Sequence, residues 1–159
     1  MTIAKEKILQ ITSKEVLEIA IQVEKELLAG DKIAFSLDRT WASNFPSAPG
    51  VYAIFDDGDL VYFGESADLK ERMKEVKRTY NHPFRKKVGK IILKARLQGR
   101  KFSDEVEKAL HAYFIRNLSF TYREVRFGRL EIEDHLIHRN AEKLLNSPGK
   151  RNAIRTSKK

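Results

Sequence analysis

The chain has 159 residues, 42% hydrophobic and 33% charged, with 31 Lys and Arg against 22 Asp and Glu, a formal charge of +9. That length suits one compact domain with a real core, and apolar residues recurring along the chain exclude a disordered polymer. No apolar run approaches the roughly 18 residues of a membrane span, the opening MTIAKEKILQ lacks a leader's apolar stretch, and the absence of Cys excludes disulfides, thiolate zinc ligands and a thiol nucleophile. The expectation is a cytoplasmic protein with an acidic partner and no membrane.

Residues 12 to 29 are predicted to form an amphipathic helix, with Thr12 and Glu15 as a capping box, Val16, Ile19, Val23 and Leu27 as the apolar stripe, and Gly30 as the stop. A strand is predicted at Ile33 to Leu37, and TWASNFPSAPG reads as a loop and a domain boundary. GVYAIF and LVYFGES around DDGD form a predicted β-hairpin. Ser66 is placed as N-cap of a helix to about Arg78, with Leu69, Met73 and Val76 inward, and Asn81-His82-Pro83 breaks the chain. Residues 84 to 97 read as a helix with Val88, Ile91, Ile92 and Ala95 facing in, despite Gly89. Ser103 opens a helix to about Leu118, and SFTYREVRF alternates as a strand with Phe120, Tyr122 and Val125 packed. Leu130 to Leu145 form a last helix before Ser147-Pro148-Gly149 and a basic tail. The predicted class is α+β, a small three-stranded antiparallel sheet flanked by helices with an N-terminal helical extension. Residues 1–47 are assigned to that extension, 48–152 to the domain and 153–159 to the tail.

The charge is segregated. Residues 67 to 101 carry thirteen Lys and Arg against three Asp and Glu, and residues 139 to 159 carry seven against one, on an otherwise acidic body. Two basic segments of this kind suit a phosphate backbone, because neutralising phosphates releases counterions.

Four polar residues interrupt apolar patterns. Tyr52 shares a strand face with Ile54, and Tyr62 with Leu60; Arg72 borders the Leu69–Met73 stripe; Glu133 falls on the Leu130, Ile137, Leu144 stripe. Charged groups on apolar faces are costly unless paired or used. A carboxylate, a guanidinium and two phenols converging beside a basic surface suit metal-assisted phosphodiester hydrolysis.

At these residues the sequence resembles the GIY-YIG nuclease family. Gly50-Val51-Tyr52 stands for GIY and Tyr62-Phe63-Gly64 for YIG, the second tyrosine ten positions after the first and Arg72 ten after the second. Glu133 to Ile137 resembles the E-x-x-L-I element, and Leu144-Leu145-Asn146 the element ending in Asn; the likeness spans residues 49 to 146. It implies Glu133 as the single protein ligand of Mg²⁺ (or Mn²⁺), which keeps most of its water. It implies Tyr52 as acceptor of a proton from the attacking water, with positive charge lowering a phenol pKa near 10. Tyr62 would hydrogen-bond the nucleophile or the scissile phosphate, Arg72 would stabilise charge on that phosphate, and Asn146 would hold the site together, with Asn152 as competitor. Glu65 stands where some relatives carry a lysine. His82 reads as a turn residue rather than a phosphate ligand. Trp41 reads as packing for the extension, and the His135/His138 pair lacks a third ligand for zinc.

These readings imply an endonuclease acting on nucleic acid, DNA in particular. Lys70, Lys74, Lys77, Arg78, Arg85, Lys86 and Lys87 are the expected backbone contacts, which position and do not read sequence. The alternative is a binding module on the same fold that does not cut. Oligomeric state, target and strand count are not legible.

Overall fold

The structure, a computed structural model, describes residues 13–79 and 81–145. Thr12, Asn146, Asn152 and the basic tail lie outside the described residues. The hairpin follows most directly from the sequence. Strands β1 (Ile33–Ala34), β2 (Gly50–Asp56), β3 (Asp59–Ser66) and β4 (Leu118–Glu124) form one antiparallel sheet in the order β1-β4-β2-β3. Asp57-Gly58 joins β2 to β3 with φ of 50° and 87°, the left-handed pair that a two-residue hairpin turn needs. The sheet has four strands where three were predicted, because the extension contributes β1. Only Ile33 and Ala34 pair there; Phe35 N still donates to Leu118 O at 3.0 Å before the chain turns at Asp38.

Helices α1 (Ser13–Ala29), α2 (Leu69–Glu75), α3 (Pro83–Lys87), α4 (Asp104–Asn117) and α5 (Arg129–Arg139) cover both faces. Alternation along β2 sends Val51, Ala53 and Phe55 against Ala20, Val23 and Leu27 of α1 and Ile132, Leu136 and Ile137 of α5. Tyr52 and Ile54 point the other way, into a core with Phe35, Trp41, Phe84, Phe102 and Phe114. Each such side chain removed from water contributes about 1.5–3 kcal/mol. Trp41 packs the extension onto this core: its ring lies 5.0 Å from Phe35 and 5.1 Å from Phe120, and Nε1 donates to Ala34 O at 2.8 Å.

Several predicted faces shift. Along α1, Ala20 takes the buried position and Ile19 is 52% exposed, since a small residue on the packed ridge lets the helix approach the sheet. The N-cap of α2 is Asp68, whose side chain accepts from Glu71 N, while Ser66 closes a tighter turn with Asp68 just before it. The segment after α3 loosens into a π turn, Val88–Ile92, leaving Ile91 and Ile92 exposed. Tyr122 is exposed and lies over Phe45, and Leu130 is exposed because α5 presents Ile132 and Leu136 inward and ends at Arg139.

One correction bears on the site. Leu60 and Tyr62 do not share a face. Tyr62 pairs with Ile54 and Leu60 with Phe55, so Val61 is an extra residue, a β-bulge that resets the alternation. Leu60 packs toward α1 and α5, whereas Tyr62 enters the opposite core beside Tyr52.

Candidate active site

Adjacent strands bring the two phenols together: the Tyr52 and Tyr62 rings lie 6.2 Å apart. Tyr52 is fully buried and Tyr62 nearly so. Register explains the motif glycines. Gly64 stands directly opposite Tyr52, and a Cβ there would overlap the Tyr52 ring and hydroxyl. At Gly50 a Cβ would collide with the carbonyl of Arg123 and the side chain of Leu69, so only glycine lets β2 start between β4 and α2.

His82 is the residue that sequence reasoning undervalued. It is the N-cap of α3, with Nδ1 accepting from Phe84 N at 3.2 Å. That bond places the proton of the neutral ring on Nε2, which faces the Tyr52 hydroxyl at 2.9 Å. Burial, then the positive charges of Arg72 and Arg85, hold the imidazole well below its ordinary value, so it is neutral in use. No periodicity signals this; only the His-Pro helix start hinted at a fixed ring.

Arg72 on α2 faces the same group. Its NH1 donates to Glu75 Oε2 at 2.8 Å and to Asn81 O at 3.1 Å, and its guanidinium also reaches the Tyr52 hydroxyl. Burial works against its charge, but Tyr52 and Glu75 outweigh that and keep it cationic. Its Nε is buried without a partner among the described residues, an expense that functional sites tolerate. For Tyr52, burial is the leading influence and drives the phenol well above 10, with Tyr62 adding to it. Arg72 pulls the other way but does not prevail, and Glu133 pushes up further. The expectation of a lowered phenol is therefore corrected: in the free protein Tyr52 keeps its proton.

Glu133 is half-buried on α5, which packs against β3, the outer strand on that side. Its charge is felt by Tyr52, which puts the carboxylate within electrostatic range of that phenol. Among the described residues no three His, Asp or Glu side chains gather to hold a metal. One carboxylate fits an ion that keeps most of its hydration shell, as Mg²⁺ does, and not a fully protein-ligated one. Leu145 N donates to Val61 O beside Tyr62 at 2.8 Å. An open cleft of about 500 Å³ is lined by Arg72, the one member of the group that reaches it, and by Arg129, which Glu65 holds at 2.7 Å.

The basic segment divides. Lys74, Lys77 and Arg78 are exposed, and Lys70, Lys86 and Lys87 are half-buried. Arg85 is fully buried and cannot meet a phosphate backbone. Its NH2 donates to Glu107 Oε2 at 2.8 Å and its Nε to Thr79 Oγ1 at 3.1 Å, while Thr79 Oγ1 and Phe102 N donate to Glu107 Oε1 at 2.5 and 3.1 Å. This clasp fixes the chain on both sides of Asn81 and His82. Burial pushes the Glu107 carboxyl up, but the bonds from Thr79, Arg85 and Phe102 outweigh it and hold it below the usual carboxylate range.

A family model described as the GIY-YIG catalytic domain matches residues 50–159. No curated protein matches the chain, and no solved structure does.

Proposed function

Because the chain belongs to the GIY-YIG catalytic-domain family, we propose that this nuclease domain is an endonuclease that hydrolyses phosphodiesters of DNA with Mg²⁺ or Mn²⁺. The observation that carries the reading is the Tyr52 hydroxyl: it is enclosed by His82, Tyr62 and Arg72 and lies within the field of Glu133. Glu133 would hold the ion. A bound Mg²⁺ supplies charge neutralisation and Lewis-acid polarisation at the phosphate.

The protein's own groups do the rest. Tyr52 first gives its own proton to bulk water and then, as the phenolate, takes one from the attacking water, while His82 Nε2–H and Arg72 donate toward its oxygen. Tyr62 orients the water or the phosphate. Arg72, held in place by Glu75 and Asn81 O, faces the charge that builds on the phosphate in the transition state. Lys70, Lys74, Lys77, Arg78, Lys86 and Lys87 contact the backbone, and the asparagine of the family motif is Asn146, with Asn152 as its competitor. Residues 48–152 form the catalytic unit and 1–47 brace it.

The burial of Tyr52 favours a second reading, a nucleic-acid-binding module that does not cut. Plasmid nicking by wild type and Glu133→Ala in Mg²⁺ and in Mn²⁺ separates the two. Nicking by wild type that is lost in the variant supports the enzyme. Undiminished nicking by purified Glu133→Ala would refute the metal role, and binding without cleavage in either ion would select the module.

A further inference from the structure

We propose that the N-terminal extension is part of the substrate path: a phosphodiester strand leaving the site crosses α2 in a groove whose far wall is Arg39. The inference rests on the nuclease reading and adds to it a contact from outside the matched region.

The groove has a volume of about 410 Å³, and its cations are Arg39, Lys74, Lys77 and Arg78. Its two carboxylates are already engaged, Glu71 with Lys74 at 2.7 Å and Glu75 with Arg72 at 2.8 Å. Arg39, Lys77 and Arg78 have no ion pair among the described residues, so the groove carries uncompensated positive charge. Glu71 and Glu75 also line the cleft that holds Arg72 and Arg129, so the two depressions meet along α2. Asn81, whose carbonyl accepts from Arg72, lines the groove as well. A polyanion seated at Arg72 therefore meets the free cations next.

Arg39 is presented, not merely exposed. Asp38 Oδ1 accepts from Thr40 N and from Thr40 Oγ1, both at 3.1 Å, and Asp38 O accepts from Trp41 N at 3.1 Å. Trp41 is buried among Phe35, Phe45 and Phe120. The turn that carries Arg39 is thus pinned to the core on the same side as α2. The chemistry suits a repeating phosphate chain rather than a single small anion, because the cations are strung along a groove and do not converge on one point.

The test is equilibrium binding of the full chain to a short DNA duplex in EDTA across a salt series, with cleavage measured in parallel in Mg²⁺. Arg39→Ala should weaken binding several-fold at low salt and reduce the slope of log K against log salt by about 1, while Arg39→Lys keeps the slope. Lys32→Ala is the control, since Lys32 is exposed elsewhere, over the Phe55 ring. An unchanged slope in Arg39→Ala, or an equal change in Lys32→Ala, overturns the proposal and leaves the nuclease reading intact. A wild-type chain that neither binds nor cleaves DNA overturns both.

Discussion

The imidazole of His82 and the hydroxyl of Tyr52 lie 2.9 Å apart across 30 residues of chain, both fully buried. A proline-led helix start holds the ring by its other nitrogen, so a donor, not a base, faces the phenol. A phenolate formed at Tyr52 would meet one hydrogen-bond donor already in place, against the burial that disfavours its charge.

Replacing His82 by alanine should lower single-turnover cleavage by about 10²-fold, the usual effect of removing one preorganised donor. It should also destabilise the fold by about 1–3 kcal/mol, because a buried hydroxyl loses its partner. The pH profile around pH 6.5, where a free imidazole titrates, should keep its shape, since burial holds this ring well below that value. A limb near pH 6.5 that disappears in His82→Ala would contradict the donor role.

The rate should climb with pH. Burial keeps Tyr52 protonated well above its ordinary value, so the reactive phenolate gains tenfold per pH unit below that point. Single-turnover rates at saturating Mg²⁺ from pH 6 to 9 should rise with a logarithmic slope near 1, and Tyr52→Phe should lose both the rise and the activity. A flat wild-type profile would count against Tyr52 as proton acceptor.

Glu107→Ala should destabilise the protein by about 3–5 kcal/mol in urea melts, because it leaves the Arg85 charge buried and unpaired. Glu107→Gln should fall between this variant and wild type. The Glu107 carboxyl is held below its ordinary 4.5, so its contribution is fully present above that pH and is lost as pH falls through the lower folded value. Wild type should therefore lose more stability on acidification below pH 4.5 than Glu107→Gln does.

Gly64→Ala places a methyl group in the Tyr52 ring. Overpacking of this kind costs about 1–3 kcal/mol, and cleavage should fall further than stability because the displaced ring carries the reactive hydroxyl. An active, stable Gly64→Ala would show that Tyr52 has room the geometry denies it.

Local signals carried the hairpin, the capped α4 and the tyrosine pair, each written in nearest-neighbour chemistry. What escaped depends on partners distant in sequence. Arg85 reads as one more cation in a basic stretch until Glu107, 22 residues on, neutralises it in the interior. His82 reads as a turn residue until the sheet brings Tyr52 against it. The two-residue β1 was overcounted in length and omitted from the sheet, since pairing with β4 depends on the fold of the whole domain. Alternation placed Tyr62 with Leu60 because no pattern marks Val61 as supernumerary.

That supernumerary residue has a protective side. β3 is an outer strand, and a long flat margin would invite another chain to add itself and begin aggregation. The bulge kinks this margin, and Leu145 N already occupies the Val61 carbonyl. At the opposite margin β1 offers two residues only. The irregularity that seats the second phenol thus also guards the sheet against self-association.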